Sequence, residues 1–288
     1  MTLKLQRQSL KKLAQRLNLS NLSFNDLLPD NVGEFLFYNK LTKAVFCDIY
    51  FIVFRKGGFF MLQKEKHTIE PVAYISNGYN EKFGVPRQSG LACSVKSEIV
   101  FQRGYRDENM LRGIEQYTHL WLVWGFSENA GEWSPTVRPP KLGGNKRVGV
   151  FATRSPFRPN GLGLSCVKLE HIVDSPEGKR LVVAGADLKN GTPIYDIKPY
   201  LPYVDSIPDA KGGFSDEYKE AFLCVEFSDE INSDDTLRKE ITEILSLDPR
   251  PQYQEDFERV YGISYKNKNI KFVYRENKII VIGIENKG

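Results

Sequence analysis

VRPPKLGGNKRVGVFATRSPFRPNGLGLS, Val137 to Ser165, is the stretch on which the rest of the chain turns. It sets six Arg or Lys, five Gly and four Pro around one short apolar run, a composition that ordinary core does not have. Proline fixes φ and removes a backbone donor, whereas Asn160 and Gly161 tolerate positive φ, so SPFRPNG (Ser155 to Gly161) specifies a backbone geometry. Arginines carried on such a backbone present a planar fork suited to anionic or aromatic partners. The segment therefore reads as a binding loop, the alternative being a solvated loop that happens to be basic.

Working outward, short apolar runs alternate with Gly, Pro, Asn and charge. Val72 to Ile75, Ser97 to Phe101, Tyr117 to Phe126, Arg147 to Ala152, Leu162 to Ile172 and Leu181 to Asp187 read as strands. DENMLRGIEQ, Asp107 to Gln116, reads as one short helix capped by Asp107, with Met110, Leu111 and Ile114 on one face. Strand following strand without intervening helices predicts a mainly β fold, an antiparallel barrel, over residues 61–210. Past Ala210 the pattern changes to a small α+β domain over residues 211–288. Lys219 to Phe227 reads as a strand, and Ser233 to Leu247 as a helix with Leu237, Ile241, Ile244 and Leu245 on one face. Ser233 would cap that helix and Asp248-Pro249 end it. Ile270 to Tyr274 and Ile279 to Ile284 then flank a polar turn at Arg275 to Lys278. At the other end, Leu3, Leu10, Leu13 and Leu17 recur at helical spacing with basic residues between them. Residues 1–60 are either a spurious upstream extension or a genuine accessory arm.

Hydrophobic and charged fractions of 41% and 26% are those of a globular protein and exclude disordered and fibrous classes. The net charge of +4 is concentrated at one end: residues 1–60 carry nine Lys or Arg against four Asp or Glu, which leaves residues 61–288 at a net −1. Any nucleic-acid binding by the main body must use local patches such as the Arg-rich loop. Cys47, Cys93, Cys166 and Cys224 are widely spaced, and with His67, His119 and His171 they form no ligand pattern. No metal site or disulfide framework is expected, the cysteines read as core filler, and a reducing cytoplasm fits. Ala44 to Phe54 is the most apolar window, yet it contains Asp48 and falls short of the ~20 apolar residues of a membrane span.

GVFATRSPFRPN (Gly149 to Asn160), EKFGVPRQSGL (Glu81 to Leu91), NGTPIYDIKPYLPYVDSIPDA (Asn190 to Ala210) and LDPRPQY (Leu247 to Tyr253) together resemble the TsaA-like family, also called YaeB or TrmO. The similarity runs colinearly from Ile69 to Tyr253. The resemblance implies a barrel that binds S-adenosylmethionine near a homodimer interface and N6-methylates N6-threonylcarbamoyladenosine at position 37 of tRNA. It also accounts for an absence: the Gly-rich strand-loop-helix unit of Rossmann-type methyltransferases is missing, and Gly161-Leu162-Gly163 instead leads into a strand, which reads as close backbone approach.

Carried over motif by motif, the implied cofactor contacts are Pro86, Arg87 and Gln88, then Ser127 and Glu128, Arg154 and Leu164, and Asn190, Gly191, Thr192 and Pro193. This chain has Ser127-Glu128 where the family pattern has His-Gln, and Asn190 where it has Asp. A Gln and backbone groups suit an adenine edge, and Arg154 suits the methionine carboxylate. Asp196, Lys198 and Tyr200 in DIKPY form the candidate catalytic cluster, because a target nitrogen must lose a proton that a carboxylate can take or orient. An Asp bridged structurally to Lys198 is the competing reading. Arg158 and Asn160 are candidates for positioning the modified base or a phosphate, with Tyr200 and Tyr203 to stack on it. Trp121 and Trp124 sit in an apolar strand and read as core. A function of another class stays open here: a non-catalytic barrel that binds adenosylmethionine or a nucleotide and regulates a partner.

Overall fold

The computed structural model describes residues 50–55, 58–63, 67–129, 132–217, 222–250 and 259–287. The chain divides into two compact units, Met1–Thr68 and Ile69–Gly288. In the first, β1 (Tyr50–Arg55) and β2 (Gly58–Gln63) form an antiparallel hairpin, so the apolar window that ends at Phe54 continues into a strand. The helix expected between Leu3 and Leu17 lies outside the described residues.

The second unit opens with β3 (Ala73–Ser76), β4 (Lys96–Phe101) and β5 (His119–Gly125). A two-stranded ribbon of β6 (Thr136–Val137) and β7 (Val148–Gly149) follows, and then β8 (Leu162–Val173), β9 (Arg180–Ala184) and β10 (Pro193–Pro199). Six of these close into an antiparallel barrel in the order β10-β3-β4-β9-β8-β5, the mainly β architecture that the sequence predicts. Strand alternation supplies the interior. Leu120, Leu122 and Trp124 of β5 point inward with Val167 and Leu169 of β8, and they meet Ile75, Ile99, Phe101, Leu181, Val183 and Ile194. Burying each such aliphatic side chain contributes about 1.5–3 kcal/mol. Gly163 is where barrel closure needs a missing side chain: it pairs with Trp124, and a Cβ there would stand 2.3 Å from the indole ring.

After a single turn of helix, α1 (Pro202–Asp205), the chain builds β11 (Cys224–Phe227), helix α2 (Asp235–Ser246), β12 (Tyr261–Tyr265), β13 (Lys268–Arg275) and β14 (Lys278–Asn286). They form a four-stranded sheet in the order β11-β14-β13-β12, with β11 and β14 parallel. The β13–β14 turn is made by Glu276 and Asn277, both at positive φ, the mirror-image turn that matches strand twist. The apolar face of α2 packs on this sheet, and its core takes in Tyr79, Ala92 and Val95 from the segment between β3 and β4.

Several expectations are corrected. Asp107–Gln116 is two 3₁₀ turns, because Gly113 at φ 87° breaks the run; Asp107 does cap the first, accepting from the Asn109 amide. Arg147–Ala152 yields only the two-residue β7 before the chain tightens into a 3₁₀ turn at Val150–Ala152. Asp234, not Ser233, caps α2, its carboxylate accepting from the Leu237 amide at 2.8 Å. The strand expected from Lys219 begins at Cys224, residues 218–221 lying outside the described residues. β10 and β12, absent from the sequence reading, complete the barrel and the C-terminal sheet. Cys93 and Cys224 are exposed and Cys166 half-buried, so these three are not core filler; Cys47 lies outside the described residues.

Candidate active site

Barrel closure brings the separated motifs to one rim. β5 ends there at Gly125, paired with Leu162 at the start of β8, and Phe126 donates its amide to the Gly161 carbonyl at 2.8 Å. β4 and β10 begin at the same rim and β9 ends there, since Lys96 pairs with Ala184, and Pro193 with Tyr74 at the far side of β3. The VPRQ segment, Ser127-Glu128, the Arg-rich loop and the NGTP turn are therefore neighbours in space. Two contacts join them directly. Arg154 Nη1 donates to Gln88 Oε1, and Glu128 pairs with Lys189, the residue just before the NGTP turn.

The candidate cofactor residues differ in what they can offer a ligand. Arg154, Ser127 and Glu128 are exposed, as is Arg87, whose guanidinium reaches the Asp248 carbonyl at 3.4 Å. Leu164, 56% exposed on β8, is an apolar surface beside them. Pro86 is buried, and Thr192 is buried with its hydroxyl donating to the Lys189 carbonyl at 2.7 Å, so both hold the backbone in place. Asn190 accepts from the Asn77 amide at 3.1 Å, and Gly191, at φ 80°, donates to the Ile75 carbonyl at 2.9 Å. Pro193 opens β10. Asn77 is an organiser that the sequence reading passed over: its side-chain amide also donates to Ser97 Oγ and the Leu188 carbonyl.

The Arg-rich loop keeps its expected geometry and changes the role of one arginine. Asn160 and Gly161 do take positive φ, 67° and 56°. Arg158, however, turns inward. Its Nε donates to the Ser155 carbonyl at 3.0 Å, and its Nη2 to the carbonyls of Val150 and Thr153. That guanidinium ties the loop to itself, and Arg154 is the one presented at the rim.

The DIKPY residues run away from the rim along β10. Asp196 pairs with Val123, and Val123 with Leu164, so the three share the outward face near the rim. The Asp196 carboxylate is bridged to Lys198 at 2.7 Å and accepts from the Ile197 amide at 2.9 Å. Tyr200 lies about 13 Å beyond Asp196 by strand rise. It packs against Trp121 and His119, with ring centroids 5.8 and 6.1 Å away. Trp121 is not core; its Nε1 donates to Asp205 at 2.9 Å, whereas Trp124 is buried. Tyr203 is 83% exposed on α1. Asp196, with Lys198 paired to it, thus stands toward the cofactor motifs, and Tyr200 stands away from them.

With this geometry in view, comparison with known proteins is decisive. The tRNA-methyltransferase O N-terminal domain family matches residues 74–206, and the family's C-terminal domain matches residues 220–287. The chain belongs to the tRNA-methyltransferase O family. It is 39% identical over 227 residues to the tRNA (adenine(37)-N6)-methyltransferase of Escherichia coli K12, covering 75% of this chain and 97% of that protein. A putative S-adenosylmethionine-dependent methyltransferase of Pseudomonas aeruginosa is 38% identical over 226 residues, covering 74% of this chain and 95% of that protein. The crystal structure of TrmO from Pseudomonas aeruginosa superposes with a TM-score of 0.63 at 31% identity, covering 77% of this chain and all of that one.

Within this member of the tRNA-methyltransferase O family, the rim also contains a group that the sequence reading missed. Asp187, just past β9, accepts from the Ser165 hydroxyl at 2.5 Å, and Ser165 in turn accepts from Trp124 Nε1 at 2.9 Å. Burial pushes the Asp187 carboxyl above the ordinary carboxylate range, opposed by the Ser165 hydroxyl and the charge of Arg154. A signal was present: Ser165 falls on the inward phase of β8, where a polar residue needs a partner. Among the described residues no cluster of three or more His, Cys, Asp or Glu could hold a metal, and no helix is long and apolar enough to cross a membrane.

Proposed function

We propose that this chain is an S-adenosylmethionine-dependent tRNA (adenine(37)-N6)-methyltransferase, and that its substrate is the threonylcarbamoyl-bearing adenosine at that position. The observation that carries the reading is the meeting of Gln88 with Arg154, and of Glu128 with Lys189, at one barrel rim in a chain of this family. The rim has the groups that the donor needs. Arg154 is an exposed cationic fork for a carboxylate, Gln88 an amide for a purine edge, and Leu164 an exposed apolar surface. S-adenosylmethionine, when bound, supplies an activated methyl group on a sulfonium. Pro86, Arg87 and Gln88 would hold it with Ser127, Glu128, Arg154, Leu164 and the 190–193 turn.

The residues of the chain then have two tasks. One is orientation: in-line methyl transfer depends on holding nucleophile and donor ~3–3.5 Å apart, and a loop stapled by Arg158 keeps Arg154 in a fixed place. The other is the proton. The nitrogen of a threonylcarbamoyl-bearing N6 is urea-like and must lose its hydrogen as the new N–C bond forms, and Asp196, on the outward face of β10 in line with Val123 and Leu164, is the carboxylate proposed to take it. Lys198 fixes the position of that carboxylate by pairing with it at 2.7 Å. Tyr200 and Tyr203 are proposed to meet the tRNA farther along the same face. A homodimer in a reducing cytoplasm, with the barrel at 61–210 and an accessory module at 211–288, completes the proposal.

Mass spectrometry of tRNA nucleosides from cells lacking this protein tests it; survival of the methylated threonylcarbamoyladenosine would remove the substrate assignment. In vitro, Arg154→Ala is expected to weaken donor binding by about 1.5–3 kcal/mol, the scale of a lost charge-assisted bond, with the barrel still folded. Asp196→Asn is expected to keep donor affinity and lose about 10²–10⁴ in methyl transfer. A binding-only barrel predicts no transfer by the parent protein either.

A further inference from the structure

We infer that Glu243 is a positioning residue for methyl transfer, through which helix α2 of the C-terminal module clamps the segment that carries the VPRQ motif. The inference rests on the reading that this segment touches the methyl donor. Between Asn77 and Val95 the chain forms turns but no helix or strand of its own beyond a single β-bridge at Tyr79. Backbone in such a segment must be ordered by partners elsewhere, since its own amides and carbonyls are not paired in a ladder. Those partners come largely from the C-terminal module. Tyr79 bridges to Tyr265, the Lys266 amide donates to the Gly78 carbonyl at 2.8 Å, and Lys287 pairs with Glu81 at 3.1 Å. Arg87 reaches the Asp248 carbonyl just past α2, and Ala92 and Val95 are buried among Leu237, Ile241, Ile244 and Leu245 of that helix and its end.

Glu243 is the strongest of these contacts. Its two carboxylate oxygens are both taken by one residue: the Ser94 amide donates to Oε2 at 2.7 Å and the Ser94 hydroxyl to Oε1 at 2.5 Å. A carboxylate chelated by two donors of the same residue fixes orientation as well as distance, and its charge strengthens both bonds. Ser94 lies two residues before β4, where the segment rejoins the barrel, so the clamp acts at its anchor point. Gly90 is fixed from the opposite side, donating to the Gly185 carbonyl at 2.8 Å. Gln88, which accepts from Arg154, lies two residues before Gly90 and six before Ser94, on the stretch that these anchors steady.

The test uses the full chain. In Glu243→Ala, amide exchange across residues 84–94 is expected to quicken while exchange in β8 and β9 does not. Calorimetric Kd for S-adenosylmethionine is expected to rise about tenfold, with kcat at saturating donor within about twofold of the parent, the scale of losing charge-assisted bonds that act on binding alone. Glu243→Gln can accept from the Ser94 amide through its carbonyl and donate to the hydroxyl through its amide, so it should return Kd to within about threefold. Ser94→Ala removes the hydroxyl half alone without touching the packing of α2 and should fall between the two. Unchanged exchange in Glu243→Ala, or a Glu243→Gln protein as weak as the Ala variant, overturns the clamp. Gln88→Ala separates the underlying reading: weaker donor binding in that variant with none in Glu243→Ala sinks the clamp alone. Unchanged donor binding in both, with faster exchange in Glu243→Ala, removes the donor from this segment and the inference with it.

Discussion

Replacing Gly163 by alanine tests how barrel closure and the site depend on each other. An added Cβ would stand 2.3, 2.4 and 2.7 Å from Cε2, Cζ2 and Cδ2 of Trp124, distances that no relaxed structure shows. The indole cannot simply step aside: it is 8% exposed, edge-on to Phe126 at 4.4 Å between centroids, and hydrogen-bonded to Ser165. Forcing a methyl into such a place costs about 1–3 kcal/mol, and losing the indole bond adds about 0.5–1.5. The lower unfolded-state entropy of alanine offsets about 0.4–1 kcal/mol of this. The net loss is about 0.5–4 kcal/mol, or a Tm lower by about 1–16 °C for a folded unit of this size. Thermal melts followed by near-ultraviolet dichroism and tryptophan emission read it. Gly161→Ala is the internal comparison. It has open space around the added Cβ and a φ of 56°, so it should lose only the roughly 1–2 kcal/mol of a left-handed alanine. A Gly163→Ala protein that melts no lower than the parent, or that keeps the parent's tryptophan emission and near-ultraviolet dichroism, would refute the reasoning. Because Ser165 also donates to Asp187, the displaced indole is expected to disturb the rim as well, seen as weaker donor binding.

Asp187 gives a pH signature with a defined sign. Burial holds its folded carboxyl above the unfolded value, so the folded state binds the extra proton, and its ionisation erodes stability as pH rises from about 4 toward the folded value. Asp187→Asn should therefore match the parent's trend below about pH 4 and gain on it toward neutrality, read as a Tm difference that grows with pH; a flat difference would contradict the assignment. Asp234→Ala should lower stability by about 1 kcal/mol in urea unfolding and Ser233→Ala by much less, since only Asp234 bonds the α2 amides; equal losses would return the cap to Ser233.

The barrel was legible because strand follows strand with only turn residues and short polar stretches between, but the phase of β5 was not: Leu120 to Trp124 are all apolar, and only closure turns Trp121 outward and Trp124 inward. The turn at Asn160-Gly161 was legible for a similar reason, since few residues accept the φ it needs. β10 was missed because two prolines and a bulge at Tyr195 interrupt its alternation, and the barrel, not its own pattern, makes it a strand. Asp107–Gln116 failed as a helix through one residue, Gly113, whose left-handed φ outweighs the apolar spacing on either side.

By itself, then, the sequence determined what local chemistry can dictate: the succession of strands, turn geometry, the apolar face of α2, and motif residues whose types suit a donor carboxylate and a purine edge. Which of those residues meet was decided by the tertiary structure. Gln88 and Arg154 are separated by 66 positions, Glu128 and Lys189 by 61, and Ser94 and Glu243 by 149. Nothing in a linear pattern encodes those distances, because they are set by barrel closure and by the packing of α2 on the far side of the VPRQ segment. Arg158 and Arg154 show the same division within five residues: alike in sequence, one faces the carbonyls of its own loop and the other the rim, because the path of the backbone fixes which way each side chain leaves it.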